Sequence, residues 1–219
     1  MSTFDAQATV WDLATDFSTT SNPNGVWSYT EGGNPIAPIA GGWGNYSTYD
    51  GSILKLDDSW VGTHDTQAGD VVVHSLSIPY GGASTFVGVT FTSPLTGLYN
   101  ISGQAWDAEF SGRNANWTLS VNGQLVAEYT NGVYGLYRND AAAQFSNNVL
   151  AGKSLNGVNL AAGEQITFLT QTTTYYGYFM GVNLTVAAVP EPEEWAMMLL
   201  GFGIVGFQVK RKQRLISRS

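Results

Sequence analysis

Apolar and polar residues alternate in short runs along most of this chain, and a period of two is typical of β-strands. Residues 117–121 read Trp-Thr-Leu-Ser-Val, which puts the apolar side chains on one face and the polar side chains on the other. Asn122-Gly123 follows directly, and this dipeptide favours a two-residue hairpin turn. The pattern therefore predicts a β-hairpin in which residues 124–129 form the return strand.

Other short runs are rich in β-branched and aromatic residues and are bounded by Gly, Pro and Asn, which is the composition of strands. The predicted strands are residues 9–13, 25–29, 52–56, 71–78, 85–92, 98–106, 117–121, 124–129, 155–160, 165–171 and 178–186. Tyr99, Ile101 and Gly103 fall on one side of the strand at 98–106. No amphipathic helix of useful length is predicted before residue 189, and residues 31–51 are predicted to form a long loop. We therefore expect residues 1–188 to form one all-β domain, a β-sandwich of jelly-roll-like arrangement.

The tail of the chain has a different pattern. Residues 195–209 carry no formal charge, and four basic residues follow at once: Lys210, Arg211, Lys212 and Arg214. An apolar run that ends in clustered positive charge is typical of a membrane-spanning helix whose basic end stays in the cytoplasm. The tail is therefore predicted to consist of a proline-containing linker at 189–194, a single C-terminal transmembrane helix at 195–209 and a basic cytoplasmic tail at 210–219.

The predicted membrane span is short. Its 15 residues at about 1.5 Å each cover roughly 22 Å, whereas the hydrocarbon core of a bilayer is about 30 Å thick. Basic side chains that reach back to the interface, together with local thinning of the bilayer, would cover the difference. The alternative is a buried core helix, but such a helix should have a polar face, and this run offers only Gln208.

Residues 201–206 match the G-x-G-x-x-G pattern of dinucleotide-binding loops. That fingerprint requires a preceding strand, a following helix and an acidic residue about 20 positions further on. Here the glycines lie inside the apolar run, so no dinucleotide cofactor is predicted. Small residues on a membrane helix favour close packing against a partner helix instead.

The motif, the apolar run and the basic end occur together and in a fixed order, beginning with Val189-Pro190-Glu191-Pro192 and continuing with Trp195-Ala-Met-Met. This tail resembles the PEP-CTERM sorting signal of Gram-negative bacteria. The resemblance implies that Val189, Pro190, Glu191, Pro192 and Trp195 form a sorting motif for an exosortase, a membrane-embedded, cysteine-dependent, transpeptidase-like protease. It also implies that the protein is held transiently in the inner membrane with its body in the periplasm, and then passes to the cell surface or extracellular matrix.

Charge and composition narrow the classes of function. Residues 1–189 include 4 basic and 14 acidic residues, a net charge of −10, whereas the tail includes 5 basic and 3 acidic residues, a net charge of +2. Because nucleic-acid phosphates bind Lys and Arg, the acidic body argues against nucleic acid as a partner. The sequence has no cysteine and therefore no disulfide. Residues 1–10 lack the charged and apolar regions of a signal peptide, so export is expected to need a start upstream of Met1 or another route.

Few residues point to catalysis. His64 precedes Asp65 in a predicted loop and is of a type used in acid–base pairs and metal sites, but a solvated or capping role is favoured. His74 lies inside an apolar strand and is expected to face solvent or a cross-strand partner. Asp107 and Glu109 are candidates for paired-carboxylate glycoside hydrolysis by residue type alone. We therefore predict no catalytic residue.

The densest acidic stretch contains Asp57, Asp58, Asp65 and Asp70. Calcium binds several carboxylate and carbonyl oxygens of a loop, so a structural calcium site is one interpretation. An ordinary solvated acidic loop is favoured over it, because the sequence has neither an EF-hand nor a nonapeptide calcium repeat. No cofactor and no metal-binding residue are predicted.

Aromatic residues make up 13% of the chain, and many of them lie in predicted loops. Rings with one polar group suit a surface that is partly apolar and partly hydrated, as in sugar-binding modules. The loop aromatics are Trp27, Trp43, Tyr46, Tyr49, Trp60, Tyr134, Tyr137, Tyr175 and Tyr176. Of these we predict that Trp43, Tyr46 and Trp60 bind glycans. The alternative is that the rings only cover the ends of the sandwich.

Two functions follow from these observations. The favoured one is a non-enzymatic exported protein whose tail is processed by an exosortase and whose body binds exopolysaccharide or acts in extracellular matrix or biofilm. The alternative is a carbohydrate-active or other hydrolytic enzyme on a jelly-roll scaffold. The expected partners are the exosortase, the membrane and exopolysaccharide. A purely structural protein would have neither a cleft with two acids nor an aromatic binding face.

Overall fold

The computed structural model describes residues 8–40, 52–57, 65–75, 86–108, 111–174 and 176–190. Within these ranges the strands are β1 (Val10–Asp12), β2 (Trp27–Glu31), β3 (Asn34–Pro35), β4 (Ile39–Ala40), β5 (Ser52–Lys55), β6 (Val71–Ser75), β7 (Val87–Thr92), β8 (Gly97–Asp107), β9 (Ala115–Val121), β10 (Gln124–Tyr129), β11 (Val158–Leu160), β12 (Gln165–Thr172) and β13 (Tyr178–Val189). Helical structure in the same ranges consists of α1 (Leu13–Asp16) and the 3-10 turns Ala141–Ala143 and Phe145–Asn147.

The strands form two sheets. In the first sheet the order is β11-β8-β13-β6-β5-β4, and β1 continues the edge of β13 beyond the end of β6. In the second sheet the order is β10-β9-β12-β7-β2-β3. Neighbouring strands are antiparallel except for β4 and β5, which are parallel. The fold is an all-β sandwich, which confirms the fold class predicted from the alternating pattern; the jelly-roll arrangement stays a prediction.

The longest ladder pairs β8 with β13 over ten residue pairs. Alternate residues of both strands face the second sheet and are buried, namely Tyr99, Ile101 and Ala105 of β8 and Val182, Leu184 and Val186 of β13. The side predicted for the strand at 98–106 is therefore confirmed. The other face of the same two strands points away from the second sheet and carries Trp106, Gly181 and Asn183.

Aromatic side chains fill much of the space between the sheets. Trp117 of β9 meets Phe145 edge-on, with ring centroids 5.0 Å apart. Near the end of β7, the ring centroid of Phe91 lies 5.4 Å from the ring centroids of both Trp11 and Trp27. Tilted and edge-to-face pairs of this kind are the favoured geometry of buried rings.

The segment 130–157 covers one side of the sandwich. It bonds to β8 of the first sheet, where Asp107 N donates to Leu136 O at 2.9 Å. It also bonds to β10 of the second sheet, where Leu150 N donates to Val126 O at 2.9 Å. Phe145 of this segment is fully buried in the core. The segment thereby covers β10, the outer strand of the second sheet, and the end of β8 in the first sheet, which reduces edge-to-edge association.

The chain near its N-terminus departs from the prediction. The strand expected at 9–13 ends at Asp12, whose side chain caps α1 by accepting a hydrogen bond from Thr15 N at 2.9 Å. The same carboxylate accepts from Thr185 Oγ1 at 2.9 Å and so ties the cap to β13.

The predicted loop at 31–51 contains the two-residue strands β3 and β4, and the strand predicted at 155–160 is reduced to β11.

The strand directions define two ends of the sandwich. The tyrosine pole is the end where β8 stops and β13 starts, and it carries Tyr134 and Tyr176. The tail pole is the opposite end, where β8 starts and β13 stops at Val189. Since β13 has 12 residues and a strand rises about 3.3 Å per residue, the two poles are about 36 Å apart.

The predicted membrane segment lies outside the described residues, as do the basic tail at 210–219 and positions 191–194 of the linker. These assignments stay predictions. Val189 is the last residue of β13, and Pro190 follows it. In the described ranges no helix is long and apolar enough to cross a bilayer.

Gly181 allows Trp106 to pack against β13. A Cβ atom at position 181 would lie 2.2 Å from Trp106 Cε2, so any larger residue must displace the indole. The displaced indole would lose the hydrogen bond from its Nε1 to Asp65 O, which measures 2.7 Å. The indole would also move away from the Arg138 guanidinium, which lies 4.1 Å from its ring centroid.

We expect Gly181→Ala to destabilise the domain by about 1–3 kcal/mol, because overpacking forces the indole out of place. The thermal midpoint should fall by roughly 2–4 °C for each kcal/mol in a chain of this size. The matched control is Gly97→Ala, since a Cβ atom at 97 meets no atom within 4 Å. Equal thermal midpoints for the two variants would contradict this account of the packing.

Tyr29 of β2 is fully buried, and its ring centroid lies 5.0 Å from that of Phe17. Burial raises the pKa of the Tyr29 phenol to about 12; the nearby Ser18 backbone partly opposes this shift, and the negative charge of Asp16 adds to it. An unfolded tyrosine has a pKa of about 10. Above that pH the unfolded chain releases the phenol proton while the folded protein keeps it, so this group favours unfolding as the pH rises from about 10 to about 12.

Tyr29→Phe should therefore make the loss of stability between about pH 10 and about pH 12 shallower, because the variant has no phenol to ionise at this position. Urea midpoints measured at pH 8 and at several points in that window check the slope. Tyr134→Phe, which changes a half-exposed ring, is the control and should keep the wild-type slope. A Tyr29→Phe slope identical to that of the wild type would contradict the assignment.

Candidate functional site

Most residues singled out by sequence lie outside the described ranges. Those residues are Trp43, Tyr46, Tyr49, Asp58, Trp60, His64, Glu109, Tyr175, Glu191, Pro192, Trp195, Lys210, Arg211, Lys212 and Arg214. The predicted roles of Trp43, Tyr46 and Trp60 in glycan binding stay predictions. The described residues nevertheless contain a second group of aromatic side chains, and its surroundings are defined.

Trp27 and His74 are both buried. Trp27 was grouped with the loop aromatics but lies in β2, and its Nε1 donates to Asp16 Oδ2 at 3.1 Å, so it is a core residue. His74 of β6 stacks on its cross-strand neighbour Phe179, with ring centroids 4.2 Å apart. The prediction was that His74 faces solvent or a cross-strand partner, and the structure confirms the second: the partner is Phe179.

Asp65 and Asp70 form an ion-pair cluster with Arg138. The guanidinium donates to both oxygens of Asp70, from Nη1 to Oδ1 at 2.9 Å and from Nη2 to Oδ2. Asp65 Oδ2 accepts from Arg138 N, and Asp65 O accepts from Trp106 Nε1. The side chains of Arg138 and Asp70 are largely buried, so the solvated-loop interpretation is wrong for Asp70.

The calcium interpretation of this acidic stretch stays a prediction. In the ranges that the structure describes, no three His, Asp or Glu side chains are placed to hold a metal ion together. The contacts of Asp65 and Asp70 instead fasten the loop 130–140 to the outer face of the first sheet, over Trp106. The cluster is therefore a structural element of the fold.

Asp107, proposed by residue type as one of two catalytic acids, is fully buried at the end of β8. Its Oδ2 accepts from Gly135 N at 2.8 Å, and its backbone N donates to Leu136 O at 2.9 Å. Both contacts hold the loop 130–140 at the tyrosine pole. A carboxylate in this position supports the loop from beneath.

Three half-exposed tyrosines lie at or beside the tyrosine pole: Tyr134 and Tyr137 are each 50% exposed, and Tyr176 is 48% exposed. Tyr134 and Tyr137 belong to the loop 130–140, and Tyr176 belongs to the connection between β12 and β13. Most other large rings in the described ranges are buried in the core. These exposed rings therefore give the pole a mixed apolar and polar surface.

Asn114, directly before β9, joins the two tyrosine-bearing segments. Its Oδ1 accepts from Tyr134 N at 2.9 Å, and its backbone N donates to Thr174 Oγ1 at 3.3 Å. Its carbonyl accepts from Thr173 N at 2.9 Å. Gly132 packs directly on the Asn114 amide, because a Cβ atom there would lie 1.9 Å from Nδ2. One residue thus fixes both segments relative to the start of β9.

Arg113 brings a positive charge to the same surface. Its guanidinium carbon lies 5.0 Å from the Tyr176 ring centroid, which is within cation–π distance. Its Nη1 donates to Gly177 O at 3.1 Å, so the side chain is fixed beside the ring. The pole therefore combines ring faces with hydrogen-bond donors whose backbone positions are held.

The loop 130–140 is held in place along its whole length. Besides the contacts to Asn114 and Asp107, Tyr137 N donates to Asp140 Oδ2 at 2.8 Å, and Asn139 N donates to Gln104 Oε1 at 3.0 Å. Gln144 Nε2 donates to the same Gln104 oxygen at 2.7 Å. These hydrogen bonds fix the backbone on which Tyr134 and Tyr137 stand.

A surface with these groups suits a ligand that is apolar on one face and rich in hydroxyls at its edge. The C–H face of a pyranose ring can lie on a tyrosine ring, while its hydroxyls exchange hydrogen bonds with the phenol and with guanidinium groups. Sequence reasoning included Tyr134, Tyr137 and Tyr176 among the loop aromatics but did not select them. Arg113 and Asn114 were missed, because no local pattern shows that they join two distant loops.

Comparison with known proteins gives only distant structural similarity. No protein-family model and no curated protein matches the sequence. Among eight matching solved chains, a family 35 carbohydrate-binding module from Clostridium thermocellum has 14% identity and a TM-score of 0.28, covering 64% of this chain and 94% of the module. The GH26-CBM35 β-(1,4)-mannanase of Podospora anserina has 19% identity and a TM-score of 0.30, covering 67% of this chain and 28% of that one. The C-terminal CBM6 of LamC, a marine laminarinase from Zobellia galactanivorans, has 11% identity and a TM-score of 0.26, covering 63% of this chain and 98% of that one.

Proposed function

We propose that this protein is a non-enzymatic, exported polysaccharide-binding protein. The observation that carries the proposal is the tyrosine pole, where Tyr134 and Tyr176 stand half-exposed on segments that Asn114 holds together. Binding sites combine rigid aromatic contact area with a few positioned polar groups, and this pole has both. Exopolysaccharide, a polymer of the extracellular matrix, is the proposed ligand.

Asp107 has a supporting role only in this function. Its buried carboxylate accepts a hydrogen bond from the loop that carries Tyr134, and this use of the side chain favours a binding module over a hydrolase. Trp43, Tyr46 and Trp60 are proposed as further glycan contacts on the strength of their sequence alone. Neither a cofactor nor nucleic acid is part of the proposal.

The tail supplies the second half of the proposal. Val189, Pro190, Glu191, Pro192 and Trp195 are proposed as the motif that an exosortase recognises. The run at 195–209 is proposed to span the inner membrane, with Lys210, Arg211, Lys212 and Arg214 at its cytoplasmic end. The body then lies in the periplasm until the tail is processed, and afterwards at the cell surface or in the matrix.

Truncating the exposed tyrosine rings tests whether the tyrosine pole binds polysaccharide. We expect Tyr134→Ala and Tyr176→Ala each to weaken binding to an exopolysaccharide about 5- to 30-fold, which corresponds to about 1–2 kcal/mol for an aromatic contact residue. Tyr134→Phe should retain most of the affinity, because the ring face remains. The measurement is mobility of the protein in affinity gels that contain increasing amounts of each polymer.

The matched control for ring truncation is Leu95→Ala, which removes an exposed apolar side chain at the opposite pole. Its mobility should equal that of the wild type in every gel. If the wild type is retarded by no polymer, or if the tyrosine variants bind as well as the wild type, the tyrosine pole is not a glycan-binding surface.

Replacing the residues of the proposed Pro190-Glu191-Pro192 motif tests whether the tail is a sorting signal. With a leader sequence fused upstream and an exosortase present, the full chain should be shortened and released from the membrane fraction. Replacing Pro190, Glu191 and Pro192 together by alanine should leave it full-length in that fraction. Deleting residues 195–219 should give a protein that never enters the membrane fraction. Processing that is unaffected by the triple replacement would contradict the recognition motif.

A further inference from the structure

The tail pole exposes a group of aliphatic side chains. Val10 is 55% exposed, Leu95 is 63% exposed and Leu98 is 43% exposed. Leu98 pairs across the strands with Val189, and Val10 pairs with Ala187. Residues 187 and 189 are two apart on β13 and so face the same side of the sheet. Val10, Leu95, Leu98 and Val189 together are called the apolar patch.

The exposure of the apolar patch is built into the fold. Leu95 O accepts hydrogen bonds from Ser93 Oγ at 2.5 Å and from the buried Tyr99 Oη at 2.7 Å. Ser93 O in turn accepts from Gly163 N at 2.8 Å. The turn that carries Leu95 is therefore fixed to β8 and to the connection between β11 and β12, with the Leu95 side chain exposed. Exposed apolar side chains that lie together, as Leu98 and Val189 do across the strands, are typical of contact surfaces.

The chain leaves the body at this patch. Val189 is the last residue of β13, and six positions separate it from Trp195, the first residue of the uncharged run. Six residues span at most about 20 Å when fully extended, whereas the tyrosine pole lies about 36 Å from the tail pole. A bilayer that holds residues 195–209 must therefore lie close to the apolar patch.

We propose that the apolar patch is a lipid-contacting surface. While the tail spans the inner membrane, Leu95, Leu98 and Val10 lie in the interfacial layer of the bilayer and the tyrosine pole points away from it. This inference rests on the proposed membrane role of the tail. The patch is too small to hold the protein on a membrane alone, but the short linker makes its contact with the bilayer intramolecular, which raises the effective concentration of lipid at the patch.

Charge favours an apolar contact over an electrostatic one. Residues 1–189 have a net charge of −10, and the surface of a membrane that contains anionic lipids is negative. Attraction between opposite charges therefore cannot hold the body against the bilayer. Aliphatic side chains gain free energy on entering the interfacial layer whatever the charge of the lipids.

Because the sequence has no cysteine, single cysteines can be labelled cleanly in the full-length chain. Leu95→Cys and Leu98→Cys report on the patch, and Phe86→Cys, 42% exposed beside β7 at the tyrosine pole, is the matched control. Each variant carries a bimane label and is reconstituted into phosphatidylcholine vesicles that contain a lipid with a nitroxide near its headgroup. We expect loss of bimane fluorescence at positions 95 and 98 and none at position 86.

The outcomes separate this inference from the proposed tail function. If the protein does not float with the vesicles, the membrane role of the tail is wrong and the inference fails with it. If the protein floats but positions 95 and 98 are quenched no more than position 86, only the lipid-contacting surface is overturned. If the unlabelled Leu98→Cys variant is oxidised to a disulfide dimer in the same vesicles and the labelled variant is not quenched, the inference is likewise overturned, since a second copy would then cover the patch. Adding Leu95→Asp to Leu98→Cys should reduce the quenching if the inference is correct.

Discussion

The antiparallel pairing of β8 with β13 is the constraint on which the rest of this structure depends. Its ten residue pairs run the full height of the sandwich. One face of the ladder supplies Tyr99 and Val182 to the core, and the other face supplies the Gly181 surface on which Trp106 packs. The two ends of the ladder have separate roles. At one end Asp107 supports the loop 130–140, and at the other end β13 stops at Val189, where the tail begins. A shift of one residue in this register would exchange the two faces and disturb all of these contacts together.

Polar contacts between distant parts of the sequence decide what the tyrosine pole looks like. Asn114 joins two segments that lie 20 and 60 positions away along the chain. Arg138 reaches Asp70, 68 positions away, across the face of Trp106. These groups are at least partly withdrawn from water, so each is stabilised only when its partner is in place. The loop geometry therefore depends on contacts with the folded sandwich, and the positions of the exposed rings depend on it in turn.

The sequence predicted structure that depends on neighbouring residues and missed structure that depends on contacts between distant residues. Strands such as β9 and β10 are encoded locally, by the alternation at 117–121 and the Asn122-Gly123 turn, and they are found where predicted. The contacts of Asp70 and Asn114 depend on partners tens of residues away, which no local pattern reveals. Trp27 shows the converse error: it was grouped with the loop aromatics although residues 25–29 were predicted to form a strand, and it is buried against Phe91 in β2. Tyr134 and Tyr176 could be named as aromatic but not as exposed, because exposure is a property of the assembled pole.

The direction of β13 places the two proposed functional regions, the exposed tyrosines and the tail, at opposite ends of the sandwich. Because β13 begins at the tyrosine pole and ends at the tail pole, the chain must leave the body about 36 Å from the exposed tyrosines. A linker of about 20 Å is too short to carry the tail back to them. Under the proposed anchoring, the tyrosines therefore lie clear of the tether, and the proposed polymer ligand would meet neither the linker nor the anchor. The opposite polarity, with the tyrosines beside the tail, would place any long ligand against the bilayer. The placement of the aromatic surface and the exit of the tail thus depend on one another through a single strand.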